Sequence, residues 1–582
     1  MKKFKDQALS FFESGQRKKI IFLFFLMGLA SILELLSLGM ILPITSVFLD
    51  SSKFVYGEYI NNIVNHTNIN IENIIYYLLF IFFIFYILKI ATLLYISWYQ
   101  QHFLYKLKYS LSNRFYFNYI NENYSFYKDK NTASFIRNIM SEVDNLINFY
   151  LGVVTFSLEI IIVLTISIFL IFINPMVTLV AFSFFSIVAL IYFTIIKNRI
   201  SSWGYQRQNI EAKRIQYLQE GFGAFKEIKI MGRENYFYRN FENQTSKFAS
   251  ISLKINFLNQ IPRHLFDFVA ILMIISIFLF LKITGYSFNE TFSLLALYLA
   301  AAFRFIPATN RLLYSLQTMK FFYPSVEILS NDLKNFSQKD KKIVQADEKK
   351  FIFNNTISVQ IKNFKYSNND NFSLKNIEFD IPKYKKIGII GTSGSGKSTL
   401  IENISGILKP EKGDIKVDGI SIFNNRREWM KNIGYIPQKI FILDDTLKNN
   451  ILFGADPNLF DDDYIVGLLK KINLDHLLFK LRNGLNHNLG EKGINLSVGE
   501  IQRVGIGRAL LSDPEIIILD EATSSLDTFT ESKILDELYK FKNKTFISVA
   551  HRIGTLRKSD IIYRVEEGKI VSQGPFNKFM ET

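Results

Sequence analysis

Long apolar runs separated by polar stretches fill the first half of the chain, and short apolar runs replace them in the second half. A helix needs about 20 apolar residues to cross the hydrocarbon core of a bilayer. Six runs meet that length, at approximately residues 20–48, 74–98, 147–173, 176–196, 265–283 and 292–319. The first run is too long for a cleaved signal peptide and lacks a small-residue cleavage site. The pattern therefore predicts an α-helical membrane domain with six transmembrane helices and a retained first helix.

Charge in the connections between these runs indicates their orientation. The stretches after the second and fourth runs are long and rich in Lys and Arg, whereas the alternate connections are short and carry Lys53 as their one clear base. Basic loops stay on the cytoplasmic side. Both termini and both long stretches are therefore predicted to be cytoplasmic, with the helices continuing below the bilayer because apolar residues recur there at helical spacing.

The first outer connection contains an apolar stripe at i, i+3, i+4, i+7 and i+8. Its residues are Tyr56, Tyr59, Ile60, Ile63 and Val64. A short helix lying on the outer membrane surface would use such a stripe. Packing of the stripe against the ends of the membrane helices explains it equally well.

A charged stretch, residues 331–355, separates the two halves and is predicted to be a linker. The domains are accordingly placed at residues 1–330 and 356–582. After the linker, short β-like runs such as ISVQIKNFKY, KKIGIIG and KTFISVA alternate with helical segments. This alternation predicts an α/β domain.

Composition narrows the classes of function. The chain has 582 residues, a formal net charge of +16 and no cysteine. Disulfides and thiolate metal sites are therefore excluded. The positive charge is explained by the cytoplasmic loops and by general Lys usage, and there is no clustered basic face, so nucleic acid is not predicted as a partner.

The sequence GTSGSGKST, residues 391–399, fits the phosphate-binding pattern G-x-x-x-x-G-K-[ST] directly after a predicted strand. Its glycines let backbone N–H groups turn toward phosphates, Lys397 supplies a positive charge, and Ser398 can ligate magnesium. The residues expected to hold the nucleotide here are Gly391, Gly394, Ser395, Gly396, Lys397, Ser398 and Thr399.

The run IIILDE, residues 516–521, is typical of a parallel strand buried on both faces and ends in two carboxylates. Following a phosphate loop, such a strand predicts that Asp520 holds magnesium. Glu521 would orient or deprotonate the attacking water.

With these two motifs, residues 356–582 resemble the ATPase domain of ABC transporters. LSVGE, residues 496–500, resembles that family's signature loop, although it departs from the usual LSGGQ at Val498 and Glu500. The resemblance implies that Ser497 and Gly499, which are retained, reach the γ-phosphate of ATP bound by an opposite subunit.

Four further positions follow in the family's order. The resemblance implies that Tyr366 stacks on adenine and that Gln438 contributes to metal binding and to coupling. It also implies that residues 525–527, with Asp527, form an inter-subunit loop and that His551 contacts the γ-phosphate. ATP and Mg2+ are the implied cofactors.

Six helices ahead of one ATPase domain resemble a half-transporter of the ABC exporter family, the type IV fold. Because one ATPase domain holds half of each composite site, a homodimer is expected. Residues 219–234 resemble the family's second cytoplasmic loop, which contacts the partner's ATPase domain.

Basic residues inside the membrane runs are the candidates for contact with a transported molecule, because charge facing lipid is costly. These residues are Lys89, Arg263, Arg304 and Arg311. Facing a shared cavity, they would form an anion site suited to a diphosphate. Two alternatives remain open: several of them snorkel to the inner head groups, or they pair with Glu34 and Glu159.

The run FRFIPATNRL, residues 303–312, resembles the sixth helix of the ABC exporters that flip lipid-linked oligosaccharides for bacterial protein glycosylation. The resemblance implies an ATP-driven flippase of a polyprenyl-diphosphate-linked oligosaccharide in the bacterial inner membrane. The alternative within the class is an exporter of another amphiphile, such as lipid A, a drug or a peptide. A soluble ABC-type ATPase and an inactive regulatory subunit are disfavoured, the first by the apolar runs and the second by the intact nucleotide motifs.

Overall fold

The structure is a computed structural model that describes residues 2–12, 15–41, 44, 71–285, 288–343, 351–366, 369–522 and 528–580. The chain divides into two compact units. The first comprises residues 1–122 and 130–340, and the second comprises residues 123–129 and 341–582. The apolar stripe at residues 56–64 and the loop at residues 525–527 lie outside the described residues.

Helices form the described part of the first unit. In chain order they are α1 (Lys2–Leu9), α2 (Gln16–Gly39), α3 (Ile71–Ile120), α4 (Tyr124–Asp129), α5 (Thr132–Arg137), α6 (Val143–Ile173), α7 (Pro175–Gly223), α8 (Phe225–Met231), α9 (Glu234–Ile283) and α10 (Phe288–Ile343). A π-helical turn, Asn138–Glu142, joins α5 to α6, and α4 belongs to the second unit. The last helix ends inside the segment 331–355, which was predicted to be a linker.

Local sequence fixes where these helices begin. Asn174 caps α7, its side chain accepting a hydrogen bond from the backbone N–H of Val177 at 3.1 Å, and Pro175 occupies the first helical position. Proline suits that position because its missing N–H would have no helical partner there. A single residue, Asn174, therefore separates α6 from α7.

Five helical segments of the described residues are long and apolar enough to cross a membrane: Lys18–Gly39, Tyr76–Ile120, Thr132–Ile173, Pro175–Gly223 and Glu234–Ile283. They contain most of the first five predicted runs. The sixth run, residues 292–319, lies within α10 and stays a prediction as a membrane span. Large apolar side chains on α3, such as Phe80, Phe83 and Leu94, are exposed, as expected for a helix in contact with lipid.

Apolar packing joins α6, α7, α9 and α10 in one core, which includes Leu170, Phe185, Phe266 and Phe305. Outside this core, buried ion pairs connect the helices. Glu142 has no exposed surface, and its carboxylate oxygens lie 3.6 Å from both Arg137 and Arg207. A buried carboxylate is stable only when it is paired in this way.

The second unit contains two sheets. Its strands are β1 (Thr356–Tyr366), β2 (Asn369–Pro382), β3 (Lys386–Ile390), β4 (Lys412–Val417), β5 (Ile420–Ser421), β6 (Ile433–Ile436), β7 (Ile516–Asp520), β8 (Thr545–Ala550), β9 (Ile561–Glu566) and β10 (Lys569–Gly574). Its further helices are α11 (Lys397–Ile404), α12 (Arg426–Lys431), α13 (Leu447–Leu452), α14 (Asp462–Lys471), α15 (His476–Lys480), α16 (Val498–Leu510) and α17 (Thr528–Leu538).

The larger sheet has the order β10-β9-β3-β8-β7-β6. Strands β9, β3, β8, β7 and β6 run parallel, and β10 is antiparallel to β9. Every residue of β8 is buried, as continuous apolar runs predict for a central parallel strand. The carboxyl ends of the parallel strands meet at one edge of the sheet, where ligands bind in α/β folds.

The smaller sheet is antiparallel, with the order β2-β1-β4-β5. Its inner residues, among them Ile357 and Val359, share a fully buried core with Ile389 of the larger sheet and Leu400 of α11. The structure thus has the predicted helical membrane domain and the predicted α/β ATPase domain.

Candidate functional site

The phosphate loop leaves the carboxyl end of β3 and enters α11. Gly391 must lack a side chain, because a Cβ atom there would lie 2.1 Å from the carbonyl oxygen of Val565. Gly394 and Gly396 have φ values of 79° and 107°, which are costly for residues with a Cβ atom. Such conformations allow backbone N–H groups of a glycine-rich loop to converge on an anion.

Lys397 lies inside this loop, and its Nζ atom donates hydrogen bonds to the carbonyls of Gly391 and Thr392, both at 2.9 Å. The ammonium group lies 4.0 Å from Glu521. Burial lowers the pKa of Lys397, whereas Glu521 and Asp520 raise it. A buried cation held at the mouth of an N–H cradle fits a phosphate group.

The catalytic residues predicted from three separate motifs converge on Glu521. The Nε2 atom of Gln438 donates a hydrogen bond of 2.9 Å to Glu521 Oε2, and His551 Nε2 lies 2.7 Å from Oε1. They meet because Gln438, Glu521 and His551 follow the carboxyl ends of β6, β7 and β8. Glu521 has a φ of 52°, and such strain in a residue with a side chain is typical of functional sites.

The predicted magnesium ligands occupy the same edge of the sheet. Asp520 ends β7 and accepts a hydrogen bond of 2.8 Å from the hydroxyl of Tyr435, while Ser398 is exposed at the start of α11. One carboxylate and one hydroxyl beside a phosphate cradle suit Mg2+, which commonly takes one or two carboxylates together with substrate phosphates. Burial, followed by the charge of Asp520, raises the pKa of Tyr435.

Tyr366, the residue expected to stack on adenine, ends β1 next to the phosphate loop. Its hydroxyl lies 3.1 Å from that of Thr399 and donates a hydrogen bond of 2.9 Å to Glu402, both in α11. Lys128 of α4 lies over the ring, 4.2 Å from its centroid, and donates to the hydroxyl at 3.0 Å. The ring is therefore fixed beside the phosphate loop, with a cation on one face.

The signature loop leads into α16. Ser497 caps this helix: its Oγ accepts a hydrogen bond from the N–H of Glu500, and the Glu500 carboxylate accepts one from the N–H of Ser497. Gly499 lies in the first turn and is half-buried. Asp527, the remaining predicted nucleotide contact, lies outside the described residues.

Two contacts of the nucleotide site were missed from the sequence. Lys128 is 238 residues from Tyr366, and no local pattern links them. Tyr435 could have been found, since it precedes Gln438 by three residues in a strand that pairs with the one ending at Asp520.

In the first unit, the structure brings together two of the four predicted substrate residues. Glu34 Oε1 lies 3.0 Å from Lys89 Nζ and 3.0 Å from Arg304 Nε. Glu34 is buried, and its second oxygen has no hydrogen-bond partner among the described residues. One carboxylate of α2 therefore serves two cations, from α3 and α10.

The other two predicted residues lie apart from this group. Arg311 forms a two-point ion pair with Glu159 of α6, through its Nε atom and, at 3.1 Å, through an Nη atom. Arg263 is exposed on α9. The pairing with Glu34 and Glu159, which the sequence left open, is thus present for three of the four cations.

The fold and the site together define a phosphate-loop ATPase domain joined to a helical membrane domain. Residues 374–524 match the family model described as "ABC transporter", and residues 19–303 match the one described as "ABC transporter transmembrane region". The chain belongs to the ABC transporters and combines a membrane domain with an ATPase domain.

Relatives match over part of their length. A Rickettsia typhi protein, named provisionally as an export ATP-binding/permease protein, is 39% identical over 224 residues, 38% of each chain. The ATP-dependent lipid A-core flippase of Pectobacterium atrosepticum is 38% identical over 224 residues, 38% of each chain, and that of Pasteurella multocida is 36% identical over 219 residues, 37% of this chain and 38% of the relative. The chain thus matches under two-fifths of the length of these relatives.

Similarity of fold extends over the full length. The solved structure of a bacterial Atm1-family ABC exporter with ATP bound superposes with a TM-score of 0.74, covering 98% of this chain and 97% of that one at 18% identity. At this identity the likeness concerns the fold.

Proposed function

We propose that this chain works as a homodimer that uses ATP to move a phosphorylated lipid from the inner to the outer leaflet of a bacterial inner membrane. The observation that carries the proposal is the pair of cations, Lys89 and Arg304, on one carboxylate inside the membrane unit. The ATPase site supplies the driving reaction, and the cation pair recognises the cargo.

The ATPase chemistry is assigned to residues that meet at the edge of the larger sheet. Bound ATP supplies a phosphoanhydride bond, and Lys397 binds its β- and γ-phosphates. Glu521 orients and deprotonates the attacking water, while Gln438 and His551 hold the Glu521 carboxylate in place. Ser398, Asp520 and Gln438 would hold Mg2+, which supplies positive charge where negative charge develops on the phosphates.

Two chains are required because the nucleotide contacts of one chain are divided. Lys397 and Glu521 lie around the phosphate loop, whereas Ser497 and Gly499 are assigned to the ATP of the opposite subunit. Binding of ATP drives a conformational change to the extent that it favours the closed pair of ATPase domains over the open pair.

A groove in the second unit is a candidate receptor for the partner's second cytoplasmic loop. The groove has a volume of about 560 Å3 and is lined by Tyr435, Phe441 and Phe453 among others. In the first unit, α8 exposes Phe225 and Ile230. Insertion of these apolar side chains from the partner would connect the cargo site of one chain with the Gln438 region of the other.

Charge in the membrane unit favours an anionic cargo. In the ion pairs described above, three cations, Lys89, Arg304 and Arg311, face two carboxylates, Glu34 and Glu159. Arg311 is matched by Glu159, so the excess positive charge lies at Lys89 and Arg304. A phosphate can take the place of Glu34 there, because Arg and Lys both donate strong hydrogen bonds to phosphate oxygens.

Two kinds of lipid carry the required phosphate. The names of two relatives, lipid A-core flippases, favour a phosphorylated glycolipid of the lipid A kind. The resemblance of residues 303–312 to oligosaccharide flippases favours a polyprenyl diphosphate. Both lipids carry a phosphate group, which is the chemistry they share. The names of the relatives favour a lipid of the lipid A kind over a polyprenyl diphosphate.

The test is ATPase activity and lipid translocation by the purified full-length protein in proteoliposomes. The lipid probes are lipid A, a polyprenyl-diphosphate oligosaccharide and a neutral glycolipid. Glu521→Gln should abolish hydrolysis and transport. Arg304→Gln should keep basal hydrolysis and lose the response to phosphorylated lipid, while Arg263→Gln, an exposed arginine outside the cation pair, should keep both.

The outcomes separate the two lipids and test the proposal. Stimulation by lipid A alone, or by the polyprenyl lipid alone, identifies the cargo. Equal responses to the neutral and phosphorylated lipids would overturn the assignment of Lys89 and Arg304. Hydrolysis that persists in Glu521→Gln would overturn the assignment of the catalytic site.

A further inference from the structure

The first turn of α16 contains an acidic residue where the usual signature loop has glutamine. Glu500 Oε2 accepts hydrogen bonds from the backbone N–H of Ser497 at 2.6 Å and from its hydroxyl at 2.9 Å. Glutamine would close the same capping box through its amide oxygen without any charge. The cap by itself therefore gives no reason for a carboxylate at this position.

The carboxylate carries a full negative charge. Glu500 is buried, which raises its pKa, but hydrogen bonds from Ser497, Lys480 and His476 lower it to about 2. This charge lies at the N-terminus of α16, where the helix dipole is positive and otherwise attracts phosphate. Left alone, it would weaken the attraction between α16 and a nucleotide.

Lys480 of helix α15 supplies the opposite charge. His476 and Lys480 are four residues apart and therefore lie on one face of the helix. His476 Nε2 lies 3.1 Å from Glu500 Oε1, and Lys480 Nζ donates a hydrogen bond of 3.0 Å to the same oxygen. Both side chains are about half exposed, whereas Leu477 between them is buried and anchors the helix.

The two oxygens of Glu500 thus have different partners. Oε1 binds α15, and Oε2 binds Ser497. Ser497 has one hydroxyl proton, so its hydroxyl can donate either to Glu500 or to a phosphate, but not to both. A cation on Oε1 withdraws charge from Oε2 and makes the carboxylate a weaker competitor for that proton.

We propose that Lys480, assisted by His476, is a positioning residue for the signature loop: it neutralises Glu500 so that Ser497 can bind the γ-phosphate of the ATP held by the partner chain. The inference rests on the proposed function, in which two chains share each ATP. Lys480 itself does not touch the nucleotide.

The test is steady-state ATPase activity of the full-length protein as a function of ATP concentration. Lys480→Met should raise KM for ATP about tenfold and leave kcat within about twofold, because the charge opposes binding and not the chemical step. Lys480→Arg should keep the wild-type KM. Lys480→Met combined with Glu500→Gln should also return KM to the wild-type value, since no charge then needs a partner.

A matched control is Lys471→Met, which removes an exposed lysine of α14 and should leave KM unchanged. An unchanged KM in Lys480→Met, or a double variant as impaired as Lys480→Met, would overturn the inference. Should Lys480→Met fail to fold, the double variant decides: a wild-type KM supports the inference, and loss of folding there assigns Lys480 to the fold instead. Hydrolysis that persists in Glu521→Gln would overturn the proposed function as well as this inference.

Discussion

Replacement of Glu34 by glutamine tests both the stability and the cargo chemistry of the membrane unit. Glutamine keeps nearly the same shape but removes the charge that Lys89 and Arg304 share, each at 3.0 Å. At an effective dielectric constant of about 20, Coulomb's law gives about 5.5 kcal/mol for each attraction. Lost hydration offsets much of this, and removing one partner of a buried pair costs about 3–5 kcal/mol.

The lower end of that range is expected, because Lys89 and Arg304 keep some exposed surface and can be partly solvated. For a unit of more than about 250 residues, a loss of about 3 kcal/mol corresponds to a fall of roughly 3–6 °C in the unfolding midpoint. The freed cations should at the same time bind a phosphorylated head group more tightly. The concentration of lipid that gives half-maximal ATPase stimulation should fall about fivefold or more.

Two measurements on the purified protein check this prediction: thermal unfolding followed by intrinsic fluorescence, and ATPase activity titrated with lipid A or a polyprenyl diphosphate. Glu242→Gln, which changes an exposed carboxylate of α9 outside the second cytoplasmic loop, is the control and should alter neither. Combining Glu34→Gln with Lys89→Met should recover much of the lost stability. A lower midpoint with an unchanged lipid response would limit Glu34 to a structural role and refute the exchange of Glu34 for phosphate.

The remaining predictions concern the nucleotide site. Gly391→Ala should sharply reduce ATP binding and lower the unfolding midpoint by several degrees, because its Cβ would collide with the carbonyl oxygen of Val565. The control, Gly221→Ala, has open space around it and should keep ATP binding and the unfolding midpoint at wild-type values. Lys128→Met should lower KM for ATP about two- to fivefold, since the nucleotide no longer displaces a cation–π contact from the Tyr366 ring. A raised KM in Lys128→Met would show that the ammonium group supports the nucleotide instead.

Much of the nucleotide site could be predicted from the sequence because its parts are local. The phosphate loop needs glycines at fixed spacing between a strand and a helix, and a buried parallel strand needs a continuous apolar run. The structure places Lys397 in that loop and Asp520 at the end of that strand. The membrane helices were recognisable for a similar reason, since the length and apolarity of a segment are properties of that segment alone.

Pairings between distant segments could not be predicted in the same way. Glu34 and Arg304 are 270 residues apart in the sequence and form an ion pair. For the basic residues of the membrane runs, the sequence left three possibilities open: pairing with a carboxylate, snorkelling to the head groups, or a shared anion site. The choice depends on which faces of α2, α3 and α10 pack together. The same holds for Lys128 on Tyr366, which joins α4 to the end of β1.

The sequence by itself thus determined where the long helices, the phosphate loop and the strand ending at Asp520 lie, and it indicated candidates for the ATPase chemistry, because backbone preferences, strand burial and phosphate-loop geometry act over a few neighbouring residues. Only the tertiary structure decided that Gln438 and His551 both reach Glu521, that Glu34 serves two cations and that Lys480 neutralises Glu500. The physical reason is that ion pairs and hydrogen bonds act over about 3 Å. Such a distance between remote residues is fixed by packing and strand order, which no local pattern records.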